Sequence, residues 1–186
     1  MSVESILESA KAAAPAIAAA STDAKDSALA RIAELLLENA DAIVAANSKD
    51  LERGAADGLA QGLLDRLKLD HMRIQGLANS ISEIIALPDP VGVSVQGKTL
   101  PNGIRLQQVK VPFGVIGCIY EARPNVTVDI AALALKSGNA AVLRGGSAAE
   151  KTNEVLIGLI QRGLGESSLP GDAVGTVDEC GRDGAT

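Results

Sequence analysis

Apolar positions recur with a helical period over the first half of this chain and with a strand period over much of the second. Val3 to Ala20 is rich in good helix formers, with Pro15 placed to kink or divide the segment. Thr22 or Asp23 can cap a second helix, whose stripe Leu29, Ile32, Leu36 and Ile43 follows helical spacing. Asn47, Ser48 and Asp50 interrupt that stripe and predict the start of another short helix. Gly54, Gly58 and Gly62 read as a loosely ordered connector. Asp70 is placed to cap a further helix with the stripe Ile74, Leu77, Ile81 and Ile84, and Pro88 and Pro90 end it.

The pattern then shifts. Val91 to Lys98 alternates like a half-buried strand, Pro101-Asn102-Gly103 makes a turn, and Ile104 to Val111 alternates again, which predicts a hairpin. Phe113 to Tyr120 is almost unbroken apolar sequence, as in a strand covered on both faces. Asn125 to Lys136 predicts an apolar helix closed by Ser137-Gly138, and Ala140 to Arg144 a second short buried strand. Ser147 and Glu150 have the spacing of a capping box, opening a helix that runs to about Arg162. Leu169-Pro170-Gly171 turns the chain into a third strand, Ala173 to Val177.

Strand, helix, strand, helix, strand is half of a doubly wound parallel sheet. The fold class is therefore α/β, with three expected parts: a helical part over 1–90, a bridging hairpin over 91–111, and an incomplete dinucleotide-binding sheet over 112–186.

Composition narrows the function. The chain is 47% hydrophobic but has no Trp, one Tyr and one Phe, so its core is aliphatic and it lacks the rings on which single-stranded nucleic acid stacks. A formal net charge of −6 opposes binding to a phosphate backbone. Nucleic acid is not an expected partner. No apolar run reaches the roughly 18 residues of a membrane span. The Ala-rich stretch Ala12 to Ala20 is preceded by Glu4 and Glu8 rather than by cations, so it reads as helix and not as a signal segment. Cys118 and Cys180 form no metal or disulfide pattern, and a cytoplasmic protein is the default expectation.

The chemistry belongs at the carboxyl ends of the parallel strands, where such sheets bind ligands. Tyr120 to Asn125 follows the first strand. Arg144-Gly145-Gly146-Ser147 follows the second, combining a cation, two glycines and a helix start with free N–H groups, which suits a phosphate. The rival reading is a tight turn with a capping serine. The fingerprint G-x-G-x-x-G is absent, since Gly163 and Gly165 are followed by Ser168 and sit at the wrong end of a helix. Lys136 suits the carboxyl end of its helix, and His71 reads as solvated.

The string from Val111 to Asp129, with Glu121-Ala-Arg-Pro-Asn-Val126 at its centre, closely resembles the gamma-glutamyl phosphate reductases, also called glutamate-5-semialdehyde dehydrogenases. Ala134 to Ser147 and Glu38 to Leu51 share the resemblance, which runs essentially from Met1 to Thr186. It implies the aldehyde dehydrogenase fold, and NADPH-dependent reduction of L-glutamyl 5-phosphate to glutamate 5-semialdehyde and phosphate in proline biosynthesis. Asn125 matches the asparagine that donates to the oxyanion of the tetrahedral intermediate. Arg144 stands where related dehydrogenases place a lysine against the adenosine ribose. Ser147 stands where NAD-preferring relatives carry a glutamate. Together with Gly145 and Gly146 these residues are expected to hold NADP, with Glu150 one turn on as a complication. Arg123 is a candidate for the acyl phosphate or the α-carboxylate, or else pairs with Glu121 or Asp129. The resemblance also implies a homo-oligomer and channelling from glutamate 5-kinase.

A thiolate nucleophile is implied as well, in a later domain than any present here. Cys118 lies in the expected buried strand, and Cys180 lies among Asp178, Glu179 and Asp183, a setting that disfavours a thiolate. Residues 1–186 are therefore expected to be inactive alone. The competing expectation is a truncated, non-catalytic product that binds nucleotide or pairs with a full-length subunit.

Overall fold

The computed structural model describes residues 2–121, 123–178 and 180. Helix α1 (Val3–Ala19) is capped by Ser2 and passes through Pro15 without a break. The missing N–H falls close to the carboxyl end of the helix. Ala10, Ala13, Ala14 and Ile17 bury the opposite stripe, so packing holds the helix together. In α2 (Thr22–Glu38) the cap is Ser21, one residue before the expected Thr22, and its side chain accepts from the Ala24 N–H.

Helix α3 (Ala40–Ala56) continues through Asn47, Ser48 and Asp50, where a new helix was expected, and Ile43 belongs to it rather than to α2. Asn47 and Asp50 are buried polar residues satisfied by distant parts of the chain. The Asn47 side chain donates to the Leu67 carbonyl at 2.9 Å and accepts from the Leu69 N–H at 2.7 Å. The expected loose connector is ordered. Gly54 is buried in α3 against Leu59, Gly58 turns the chain with φ of +78°, and Gly62 lies in α4 (Gln61–Leu67). Asp70 caps α5 (His71–Ala86) by accepting from the Arg73 N–H, and Ile74, Leu77, Ile81 and Ile84 are all buried.

Strands β1 (Ser94–Thr99) and β2 (Arg105–Val109) form the antiparallel hairpin, yet neither strand has a covered face. Its alternation suits a surface that nothing in the described residues covers. The second sheet is parallel, in the order β3 (Val115–Ile119), β4 (Ala140–Arg144), β5 (Val174–Thr176). The first four residues of β4 are fully buried. β3 is an edge strand and half-exposed, with Ile119 at 64% and the preceding Phe113 at 93% exposure. Its apolar run is fit for two covered faces, but among the described residues only one of its edges is paired.

The crossovers are α6 (Pro124–Lys136) and α7 (Glu150–Glu166). Pro124 takes the first helical position of α6, where no N–H is needed. Gly138 closes that helix with φ of +78°, and a Cβ there would come within 2.8 Å of Pro112. Helix α2 packs between α5 and α7. Gly163 permits the close approach to α7, since a Cβ would lie 2.6 Å from Ile32 Cγ1 and 3.2 Å from its Cα. One aliphatic core runs from Ala10 to Val177 through both the helices and the sheet. Each fully buried Leu or Ile in it contributes roughly 2 kcal/mol. Lys136 is drawn into this core as well. Its Nζ lies 2.5 Å from Asp26 and donates to the Ile85 carbonyl, which assigns it to packing α6 on α2 and α5.

Candidate nucleotide site at the carboxyl edge of the sheet

The register of the parallel pair sets the two candidate loops side by side. Ile119 pairs with Arg144, and the Tyr120 N–H donates to the Arg144 carbonyl at 3.0 Å. Both chains then leave the sheet at the same edge. Asn125 is the second residue of α6 and is exposed at this edge. Burial pushes the half-buried carboxyl of Asp129, one turn further on, above its usual range, with the Asn125 side chain offsetting part of the rise.

Arg123 is exposed at the start of α6 and forms no ion pair with Glu121 or Asp129. With Glu121, Arg66, Leu59, Leu63 and Ala148 it lines a hollow of about 240 Å³. Arg144, the last residue of β4, is half-buried. Gly146 is partly exposed and Ser147 is exposed. The capping box expected at Ser147 is not formed. Ser147–Ala149 is a 3-10 turn, and α7 begins at Glu150 with no cap from the Ser147 side chain.

The cap comes instead from α3. Asp50, fully buried, accepts from the Lys151 N–H at 3.2 Å and from the Thr152 N–H at 2.8 Å, and from the Thr152 hydroxyl at 2.7 Å. The amino end of α7 thus already holds an anion, and it is the protein's own. Gly145 is likewise engaged, its N–H donating to Asp178 at 2.6 Å. A Cβ on Gly145 would strike the Asn153 amide at 2.2 Å, so this glycine is required by packing beneath the loop.

Under the two loops runs a chain of hydrogen bonds that sequence patterns did not reveal. Tyr120 and Thr127 share a hydroxyl contact of 2.6 Å. Thr127 donates to Asn153, and the Asn153 amide donates to Asp178, which also receives Gly145. These residues tie β3, α6, α7 and the segment after β5 into one rigid edge. Two polar residues on otherwise apolar helix faces, Thr127 and Asn153, were the available signal.

Burial, together with the charge of Asp178, pushes the Tyr120 phenol up to about 12, with the Thr127 bond offsetting part of the rise. A raised value favours the protonated phenol in the fold. That stabilisation is complete below pH 10.0 and disappears as pH rises through about 12. Tyr120 is the sole tyrosine of a chain without tryptophan, so a near-ultraviolet absorbance titration reads it alone. The folded chain should titrate close to 12 and the denaturant-unfolded chain close to 10.0. A shared midpoint would show that the phenol is not held in this network.

Both described cysteines are half-buried and pack against the core, Cys118 from within β3. Cys118 was expected to be fully buried, and the edge position of β3 accounts for the difference. Of the acidic neighbours noted around Cys180, Glu179 and Asp183 lie outside the described residues. Exposed His71 contacts Asp41 at 2.8 Å, far from this edge in sequence. Among the described residues no helix is long and apolar enough to cross a membrane.

Comparison with known proteins places this geometry. No family model matches the chain. It is 61% identical over 176 residues to a gamma-glutamyl phosphate reductase of Leifsonia xyli, covering 95% of this chain and 42% of the relative. It is 57% identical to the Clavibacter michiganensis protein of the same name, covering 98% of this chain and 42% of that one. The crystal structure of gamma-glutamyl phosphate reductase from Thermotoga maritima superposes with a TM-score of 0.94 at 36% identity, over 97% of this chain and 44% of that chain. An NAD-dependent benzaldehyde dehydrogenase from Corynebacterium glutamicum shares the fold alone, with a TM-score of 0.69 at 24% identity, over 94% of this chain and 36% of that one. The chain is thus a homologue of the gamma-glutamyl phosphate reductases, within the aldehyde dehydrogenase fold, and spans about 42% of the length of those curated relatives.

Proposed function

We propose that residues 1–186 provide the nucleotide-binding edge and an oxyanion donor for NADPH-dependent reduction of L-glutamyl 5-phosphate to L-glutamate 5-semialdehyde and phosphate. The observation that carries this reading is the pairing of Ile119 with Arg144, which brings the Asn125 loop and the Arg144–Ser147 loop to one edge of the sheet. On this reading the parts 1–90, 91–111 and 112–186 serve as helical support, bridging hairpin and nucleotide sheet. Self-association, transfer of the acyl phosphate from glutamate 5-kinase and a cytoplasmic setting belong to the same reading.

The residues fit a nicotinamide dinucleotide carrying a 2′-phosphate. Arg144 supplies a cation at the strand end, Gly146 and Ser147 present small exposed groups, and Gly145 keeps the loop seated. Glu150, the acid that would oppose a phosphate, is engaged by Arg53 at 3.3 Å and by Lys151 at 3.6 Å. Because Asp50 and Asp178 occupy the nearby N–H groups, recognition of the phosphate falls to side chains rather than to the helix end. The bound nucleotide supplies the hydride.

The chain's own contribution to the chemistry is electrostatic. Attack of a thiolate on the acyl carbon forms a carbon–sulfur bond and places the carbonyl electron pair on oxygen. Collapse of that species expels phosphate. A nucleotide held by Arg144 to Ser147 would supply hydride to the resulting thioester, and the second oxyanion would collapse to the aldehyde and the thiolate. The exposed amide of Asn125 would supply the donor that stabilises both oxyanions. Arg123, beside the hollow it shares with Arg66, is placed to meet the anionic groups of the substrate.

A chimera tests the reading, with residues 1–186 replacing the matched stretch of the Leifsonia xyli relative. In it, Arg144→Glu should raise the KM for NADPH at least about tenfold more than the KM for NADH. Equal losses with both nucleotides would remove the 2′-phosphate from the account of Arg144.

A further inference from the structure

The Ser147–Ala149 turn at the proposed ribose site is held by a residue from another part of the chain. Arg53, on α3, donates from Nη2 to the Ser147 carbonyl at 2.7 Å and to the Ala148 carbonyl at 3.4 Å. The same nitrogen lies 2.8 Å from Asp50, and Nη1 donates to Glu150 at 3.3 Å. The guanidinium is itself anchored, because Asp50 is 0% exposed and is fixed by two N–H groups and the Thr152 hydroxyl.

We propose that Arg53 is a specificity-determining residue that favours the phosphorylated over the unphosphorylated nucleotide by restraining Glu150 and by fixing the Ser147–Ala149 turn. The proposal rests on the reading of Arg144 to Ser147 as the ribose-phosphate site. A carboxylate near the adenosine ribose accepts from its hydroxyls and repels a 2′-phosphate. Glu150 is the acid closest in sequence to this turn. Its side chain is drawn to the guanidinium on one oxygen and toward Lys151 on the other. With Arg53 present the acid is neutralised and turned to α3. Without Arg53 it is released to face the ribose, and the two carbonyls of the turn lose their common anchor. Arg53 acts through Glu150 and the turn and need not touch the nucleotide, so it is a positioning residue. A lysine replaces it only in part, since one ammonium cannot present the planar fork that spans Asp50, Glu150 and the turn carbonyls.

The test measures NADPH and NADH affinities by titration of nicotinamide fluorescence, in the full-length chimera described above. Arg53→Gln should weaken NADPH about tenfold while leaving NADH within about twofold, so that the preference falls about tenfold. Adding Glu150→Gln to Arg53→Gln should restore most of the preference, because the released acid is then gone. Glu150→Gln alone should leave it unchanged. Arg53→Lys should lose part of the preference, and this milder variant decides the matter if Arg53→Gln does not fold. A merely structural Arg53 would weaken both nucleotides alike, with no rescue by Glu150→Gln, and that result overturns the proposal. Arg144→Glu in parallel separates the two levels. Unchanged nucleotide affinity there would remove the site itself. Loss of NADPH affinity there, with an unaltered preference in the Arg53 variants, would remove only the role of Arg53.

Discussion

Replacing Asn125 by Ala in the chimera should lower kcat about a hundredfold or more while leaving nucleotide affinity nearly unchanged. The amide is exposed at the second position of α6, at the edge where β3 and β4 deliver their loops. A neutral donor so placed does little for the ground state. Its effect appears when charge collects on the carbonyl oxygen, and loss of one such donor costs about 3 kcal/mol in the transition state. Asn125→Asp serves as a control of sign, since an acceptor-only carboxylate would repel the oxyanion and should be no better than alanine. Stopped-flow or steady-state rates with saturating NADPH read the outcome. A normal kcat in Asn125→Ala would reduce Asn125 to a residue that begins a helix.

The site's two loops could be read from the sequence because parallel strands advertise their ends locally. An apolar run, a loop and a helix recur in order, and the candidate ligand edge follows from that order alone. Asp70 and the stripe Ile74, Leu77, Ile81 and Ile84 were legible for the same reason, since both the cap and the period lie within one helix. What escaped was non-local. Asn47 and Asp50 look like helix breakers until their partners Leu67, Leu69 and Thr152 are known, and those partners lie about 20 and about 100 residues away. Ser147 has the spacing of a cap, but a buried carboxylate from α3 satisfies the N–H groups first. Exposure of the hairpin and of β3 depends on what lies beside them, which no pattern within a strand records. The candidate loops were therefore visible as a local pattern, whereas the residues that hold them in place had to be found in space.

Turnover by the chimera tests the central claim most directly. The edge of this sheet is held to be that of a gamma-glutamyl phosphate reductase, interchangeable with the matched stretch of a relative at 61% identity. Substitution of the whole stretch keeps the Asp50–Arg53 latch, the Tyr120–Thr127–Asn153–Asp178 chain and both loops together, so the edge arrives intact. Residues 1–186 alone are the companion sample, and no turnover is expected from them. Cys118 is fixed in β3 and Cys180 packs against the core, so neither is posed as a nucleophile at the Asn125 edge. Turnover by these residues alone that disappears in a Cys118→Ser, Cys180→Ser double variant would make one of the two the nucleophile. In the assay itself, glutamate semialdehyde oxidation in the presence of phosphate is followed by NADPH formation. A rate within about tenfold of the Leifsonia xyli parent is the expected result. A folded chimera that neither binds the nucleotide nor turns over, beside an active parent, would contradict the account.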